Sequence, residues 1–74
     1  MVKVYSTQTC PWCTRVKSYL DSKNVQYDDY DVSRNREAAI EMIEKSGQRG
    51  VPVLDINGTI VVGFDQRTID RLIS

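Results

Sequence analysis

Val4-Tyr5-Ser6-Thr7-Gln8-Thr9-Cys10-Pro11-Trp12-Cys13 holds the end of a strand-like run, a polar loop and the only two cysteines of the 74-residue chain. Upstream, Val2 to Ser6 is a short β-branched and aromatic run that predicts a first strand. Downstream, Pro11 suits a first helical turn, where a missing N–H costs nothing. Val16, Tyr19 and Leu20 then recur at three- and four-residue steps, which predicts a helix from Trp12 to about Ser22. Cys13 lies on the same stripe and is expected to face inward, with Cys10 at the helix start. Asn24 is a suitable left-handed residue to close this helix.

Beyond that helix, Val25 to Val32 reads as a second strand, with Val25, Tyr27, Tyr30 and Val32 partly buried. A β-α-β unit requires parallel strands joined by a right-handed crossover. Ser33 is the expected cap of a second helix, with Arg36 and Glu37 in its first turn. Glu37 misses the capping-box spacing by one residue. Ala38, Ala39, Ile40, Met42 and Ile43 form the expected apolar face, and Gly47 ends the helix. Val51 to Ile56 predicts a strand entered through Pro52. Asn57-Gly58 is a two-residue hairpin signal, and Thr59 to Val62 is the returning strand. Gly63-Phe64-Asp65 reads as a turn, with Asp65 capping a last helix that contains Ile69, Leu72 and Ile73. The order β-α-β-α-β-β-α gives an α/β chain with a four-stranded mixed sheet flanked by three helices. One domain over residues 1–74 is expected. The cysteine pair falls after the first strand, where ligands sit in open α/β sheets.

Ten basic and ten acidic residues give a formal net charge of zero, which argues against recognition of nucleic acid or a membrane surface by bulk charge. No apolar run approaches the roughly 20 residues a spanning helix needs. Met1-Val2-Lys3-Val4-Tyr5 enters a strand pattern at once, so no signal peptide and a cytoplasmic location are expected. In that setting a dithiol is more often catalytic than structural.

The chain has no histidine, so chemistry beyond carboxylate acid–base work falls to the cysteines or to a bound cofactor. A free thiol has a pKa of about 8.5, and the reactive form is the thiolate. At a helix N-terminus, unpaired N–H groups and the macrodipole favour an anion. Cys10 is therefore the expected nucleophile, approached by the N–H groups of Trp12 and Cys13. Cys13 is the expected resolving thiol, which attacks the mixed disulfide on Cys10. Three plainer readings compete. A structural zinc site needs four ligands where two cysteines stand. A structural disulfide closing so short a ring contributes only about 2 kcal/mol. Two unrelated buried thiols would not need this spacing after a strand.

Cys10-Pro11-Trp12-Cys13, preceded by Val4-Tyr5-Ser6 and Thr9, resembles a glutaredoxin active site. Ser46-Gly47-Gln48-Arg49-Gly50-Val51-Pro52-Val53 resembles that family's approach to its cis-proline, and Val62-Gly63-Phe64-Asp65 its glycine turn before the last helix. The short length and the Gly-Phe-Asp turn are similar to small bacterial glutaredoxin-like redoxins. The resemblance implies a thioredoxin fold and thiol–disulfide oxidoreductase activity with no tightly bound cofactor or metal. It implies a cis Val51-Pro52 bond, although X-Pro bonds in general are mostly trans. It implies that Val51 offers its backbone to an extended thiol substrate. Phe64 and Asp65 carry over to the segment that meets the γ-glutamyl end of glutathione, and Asp65 also reads as a plain helix cap. Trp12 stands where tyrosine is common and reads either as a partner contact or as packing at the helix start.

Two departures bear on glutathione. Thr7 stands where many family members carry a lysine for the glycine carboxylate, and the family's double glycine is reduced to Val62-Gly63. Arg15, Lys17 and Arg49 are the candidates to replace that charge. The expected partners are glutathione or thioredoxin reductase, together with disulfide-containing protein substrates, acting on a monomer. The alternatives are an electron donor to ribonucleotide reductase, reduced by thioredoxin reductase, and a dimer holding an iron–sulfur cluster through Cys10. Asp28, Asp29 and Asp31 read as a solvated, charge-protected sheet edge.

Overall fold

In the computed structural model, which describes residues 1–73, the elements are β1 (Val2–Ser6), α1 (Pro11–Ser22), β2 (Asp28–Asp31), α2 (Arg36–Ser46), β3 (Val53–Ile56), β4 (Thr59–Val62) and α3 (Gln66–Ile73). The strand order is β2-β1-β3-β4. β1 and β2 run parallel, with Ser6 opposite Asp31, whereas β3 is antiparallel to β1 and β4 to β3. This is the expected four-stranded mixed sheet, with the elements in the expected β-α-β-α-β-β-α order along the chain. Its topology has one consequence for the site. Each helix follows a strand that finishes at the Ser6 end of the sheet, so all three helices begin there.

Strand alternation sorts the core into two layers. Val2, Val4, Leu54, Ile56 and Val61 face α1 and α3, where Val16, Leu20 and Ile69 complete a buried cluster. Tyr5 and Val53 point the other way and pack against Ala38 and Met42 of α2. Ile40, expected on the apolar face of α2, is 47% exposed. It lies two residues from both Ala38 and Met42, and so on the far side of the helix from them.

Several boundaries differ from the expectation, each for a local reason. β2 is only Asp28–Asp31, because Val25 and Tyr27 pack as loop residues beneath the α1 cluster instead of entering the sheet. The α2 cap is Asn35, not Ser33: the Asn35 carboxamide accepts from the Ala38 N–H at 3.0 Å. Ser33 is held earlier in the turn, where its N–H donates to Asp31 Oδ1 at 3.0 Å. β3 begins at Val53, after the proline. Other signals appear as read. Asn24 takes a left-handed φ of 58°, Gly47 closes α2 at φ 72°, and Asn57 and Gly58 take φ 52° and 97° in the hairpin turn. Asp65 caps α3 by accepting from the Thr68 N–H at 3.2 Å.

Candidate functional site

The loop leaving β1 turns at Cys10, whose extended backbone (φ −102°, ψ 108°) makes it the residue just before the first helical turn. Pro11 then sets φ for the helix without wasting a donor. As the cap, Cys10 places its sulfur over the first turn, where the Cys13 N–H donates to Sγ at 3.1 Å. The Trp12 N–H, expected to help, makes no such hydrogen bond. Cys10 and Cys13 are joined as a disulfide with their Cα atoms 5.2 Å apart. Cys10 is half-buried, while Cys13 is fully buried on the α1 face that carries Val16 and Leu20.

The loop from α2 to β3 closes over the same point. The Val51-Pro52 bond is cis, and the Val51 carbonyl oxygen lies 4.0 Å from Cys10 Sγ. Pro52 is held in turn by the Gly63 N–H, which donates to its carbonyl at 2.8 Å. Trp12, Val51, Pro52, Gly63 and Phe64 line an open groove of about 320 Å³ beside the disulfide. Behind it, the rings of Phe64 and Tyr19 meet at 5.6 Å between centroids. Thus Trp12, Val51, Pro52 and Phe64 are brought together at the dithiol. Thr7 and Asp65 do not line the groove. Asp65 is engaged as a cap by the Thr68 hydroxyl and N–H, which hold its carboxyl below the usual range.

Trp12 is 55% exposed, so packing at the helix start does not account for it. Its ring instead carries the Arg15 guanidinium, 4.8 Å from the ring centroid. Lys17 is committed elsewhere: its ammonium contacts Asp29 Oδ2 at 2.9 Å, and Ser6 Oγ donates to Asp29 Oδ1 at 2.7 Å. The β2 carboxylates are accordingly more than a solvated edge. Asp29 ties β2 to β1 and α1. Asp31 accepts from Ser33, whose hydroxyl and N–H lower its pKa.

Sequence reading named Gly63 only within the glycine turn and Arg15 only as a substitute charge, and it did not place Tyr19 or the Arg15–Trp12 stack at the site. The only signal was spacing, since Arg15 and Tyr19 follow Trp12 at three and seven residues on one helix. It also missed a polar network on the α2 side of the sheet. There Tyr5 Oη donates to Glu41 at 2.6 Å, and Lys45 bridges Glu41 at 2.8 Å and Asp55 at 2.6 Å. This network holds α2 to β1 and β3 and lies away from the sulfurs. A larger depression of about 750 Å³ at the other end of the sheet is lined by Met1, Val2, Asp21, Val25, Gln26, Tyr27 and Asp28. It contains no cysteine and is remote from the groove. Among the described residues, no helix is long and apolar enough to cross a membrane.

Comparison with known proteins gives a consistent picture. The glutaredoxin family profile matches residues 2–61. The chain is 49% identical over 73 residues to a glutaredoxin-like 8.6 kDa protein in a rubredoxin operon of Clostridium pasteurianum, covering 99% of this chain and 97% of that one. It is 36% identical over 64 residues to glutaredoxin 3 of Escherichia coli (strain K12), covering 86% and 77% of the two chains. Its fold matches the glutaredoxin-like protein NrdH-redoxin from Escherichia coli, which has a thioredoxin-like activity profile. That match has a TM-score of 0.85 at 25% identity and covers 99% and 95% of the two chains. The fold is the thioredoxin fold.

Proposed function

The chain belongs to the glutaredoxin family, and from that premise we propose that it reduces protein disulfides or glutathione mixed disulfides through Cys10 and Cys13. The observation that carries this reading is the placement of the pair: a helix-capping sulfur receives the Cys13 N–H at 3.1 Å and stands 4.0 Å from the Val51 carbonyl.

In the reduced protein the same N–H and the α1 dipole favour the Cys10 thiolate. That thiolate attacks one sulfur of the substrate. A Cys10–substrate S–S bond forms, the substrate S–S bond breaks, and the leaving thiolate takes a proton from solvent. Cys13 then loses its proton and attacks Cys10 Sγ, releasing the second substrate thiol. Two electrons pass to the substrate, and the protein is left with its Cys10–Cys13 disulfide. Val51, with its backbone beside the sulfur, is suited to hold the substrate in an extended conformation. Trp12, Pro52 and Phe64 form the apolar walls. Both sulfurs come from the chain, so the chemistry needs no bound cofactor. Residues 1–74 act as one domain, as a cytoplasmic monomer, and the disulfide is returned to the dithiol by glutathione.

A second reading keeps the dithiol and changes its reductant. The similarity to NrdH-redoxin over 95% of that chain, with Thr7 at the position of the family's lysine, favours a flavin-dependent thioredoxin reductase. Ribonucleotide reductase would then be a candidate acceptor. The test is the regeneration of activity. Turnover of a small disulfide driven by glutathione, glutathione reductase and NADPH supports the first reading. Turnover driven only by thioredoxin reductase and NADPH replaces it with the second.

A further inference from the structure

We propose that the dithiol end is a docking surface for an acidic polypeptide, an extended segment carrying Asp or Glu beside its disulfide. This rests on the thiol–disulfide reading and adds the chemistry of the partner.

The net charge of zero conceals an uneven distribution. Three arginines reach the surroundings of Cys10 from three different segments. Arg15 of α1 lies over the exposed Trp12 ring at 4.8 Å. Arg34, from the turn after β2, donates through Nη2 to Gln8 Oε1 at 3.4 Å, and Gln8 is two residues from Cys10. Arg49 is exposed two residues before Val51, the residue whose carbonyl lies 4.0 Å from Cys10 Sγ. Two residues of extended chain span at most about 7 Å, so the Arg49 backbone stands close to Val51.

Apart from Glu37, which is exposed in the first turn of α2, the acidic groups at this end are hydrogen-bonded or paired. Asp65 caps α3 through Thr68. Asp31 is bonded to Ser33 and stands 4.0 Å from Arg34 Nε. Asp29 is paired with Lys17. Asp21 and Asp28 line the depression at the opposite end of the sheet. The helix dipoles add to the asymmetry, because α1, α2 and α3 all begin at the dithiol end, and a helix N-terminus is equivalent to about half a positive charge.

A polypeptide laid along Val51 would therefore run near the guanidinium stacked on Trp12 and the arginines of the two neighbouring loops, of which Arg34 is partly offset by Asp31. Arginine presents a planar fork of donors suited to carboxylates. Charge complementarity around a docking patch raises encounter rates and rejects like-charged partners. Nucleic acid is a poorer occupant: the patch surrounds a redox sulfur, and no net positive charge backs it.

The test uses the reduced protein and three synthetic peptide disulfides, identical except for Glu, Gln or Lys on either side of the cysteine. The expected kcat/KM order is Glu above Gln above Lys. The Glu-to-Gln ratio should be about ten at low ionic strength, within the range of electrostatic steering. It should fall towards one at about 1 M salt, where the Debye length is about 3 Å. The combined variant Arg15→Gln, Arg34→Gln and Arg49→Gln should lose the preference, whereas Lys23→Gln at the far end of α1 should retain it. If that combined variant does not fold, the salt dependence of the unmodified protein decides alone. Equal rates for the three peptides, a Lys-peptide preference or a salt-independent ratio overturns the acidic-partner proposal and leaves the redox function standing. Failure to reduce any of the three, with Cys10 still open to alkylation, overturns both.

Discussion

The backbone N–H of Cys13 donates to the sulfur of Cys10 at 3.1 Å, so the residue proposed to resolve the mixed disulfide would also help to poise the proposed nucleophile. The donor is backbone, and replacing the Cys13 side chain leaves it in place. Cys13→Ser should therefore still attack disulfides and should accumulate a mixed disulfide on Cys10, visible as an added mass in intact-protein spectrometry. Cys10→Ser should lose all disulfide reductase activity, a fall of at least about a hundredfold for loss of a nucleophile. An active Cys10→Ser beside an inert Cys13→Ser would reverse the two roles.

Phe64 forms one wall of the groove and rests against Tyr19 at 5.6 Å between ring centroids. Phe64→Ala should raise KM for a glutathione or peptide disulfide by about tenfold, equivalent to about 1.4 kcal/mol of lost binding, with a smaller change in kcat. Steady-state kinetics on the two disulfides would separate these effects. An unchanged KM would remove Phe64 from the binding surface.

Asn35 and Ser33 compete for one role, and the structure assigns the α2 cap to Asn35. Asn35→Ala should cost about 1 kcal/mol, the usual worth of a side-chain cap. Ser33→Ala should cost less, because Asp31 keeps the Ser33 N–H. Urea midpoints for the two variants decide it, and a larger loss at Ser33 would return the cap to that residue.

Tyr5, Glu41 and Lys45 make stability depend on pH at both extremes. Hydrogen bonds from Lys45, then Tyr5 and Lys3, pull the Glu41 pKa from 4.5 down to about 2. A lowered carboxyl contributes fully above its unfolded value, so stability should fall as pH drops from about 4.5 towards about 2. Burial, reinforced by donation to Glu41, pushes Tyr5 from 10.0 up to about 12. Its neutral form is the favoured one, so its contribution is complete below pH 10 and is lost as pH rises through about 12. Lys45, raised by Asp55 and then Glu41, loses its contribution in the same alkaline direction. Glu41→Gln should flatten the acid limb, and Tyr5→Phe should reduce the alkaline limb without abolishing it. Denaturation midpoints against pH provide the measurement, and limbs that keep their slopes would disconnect the network from stability.

The element order was legible because the signals are local. Val2 to Ser6 alternates, Cys13, Val16 and Leu20 share one helical stripe, and Asn24, Gly47 and Asn57-Gly58 mark turns by backbone preference alone. The limits of β2 were not local. Val25 and Tyr27 have strand-like side chains, but their apolar surface is taken up by the α1 layer before the chain reaches β1. The α2 cap failed for a related reason. Ser33 and Asn35 are both good caps in isolation, and Asp31 captures Ser33 first.

The sequence by itself determined the two sulfurs, their division between outward and inward positions, and the strand and helix that carry them, since each depends on neighbours within a few residues. Tertiary structure alone decided what surrounds them. Val51 reaches Cys10 across 41 residues, Gly63 holds Pro52, Trp12 shares a groove with Phe64, and Arg34 meets Gln8 across 26. Such contacts form only after the sheet has brought the ends of β1, β3 and β4 together. No periodicity or capping preference encodes which distant loop will arrive beside Cys10. Only the family resemblance pointed to Val51, Pro52 and Phe64, and the groove they form with Trp12 and the Arg34–Gln8 contact were visible only in the folded chain.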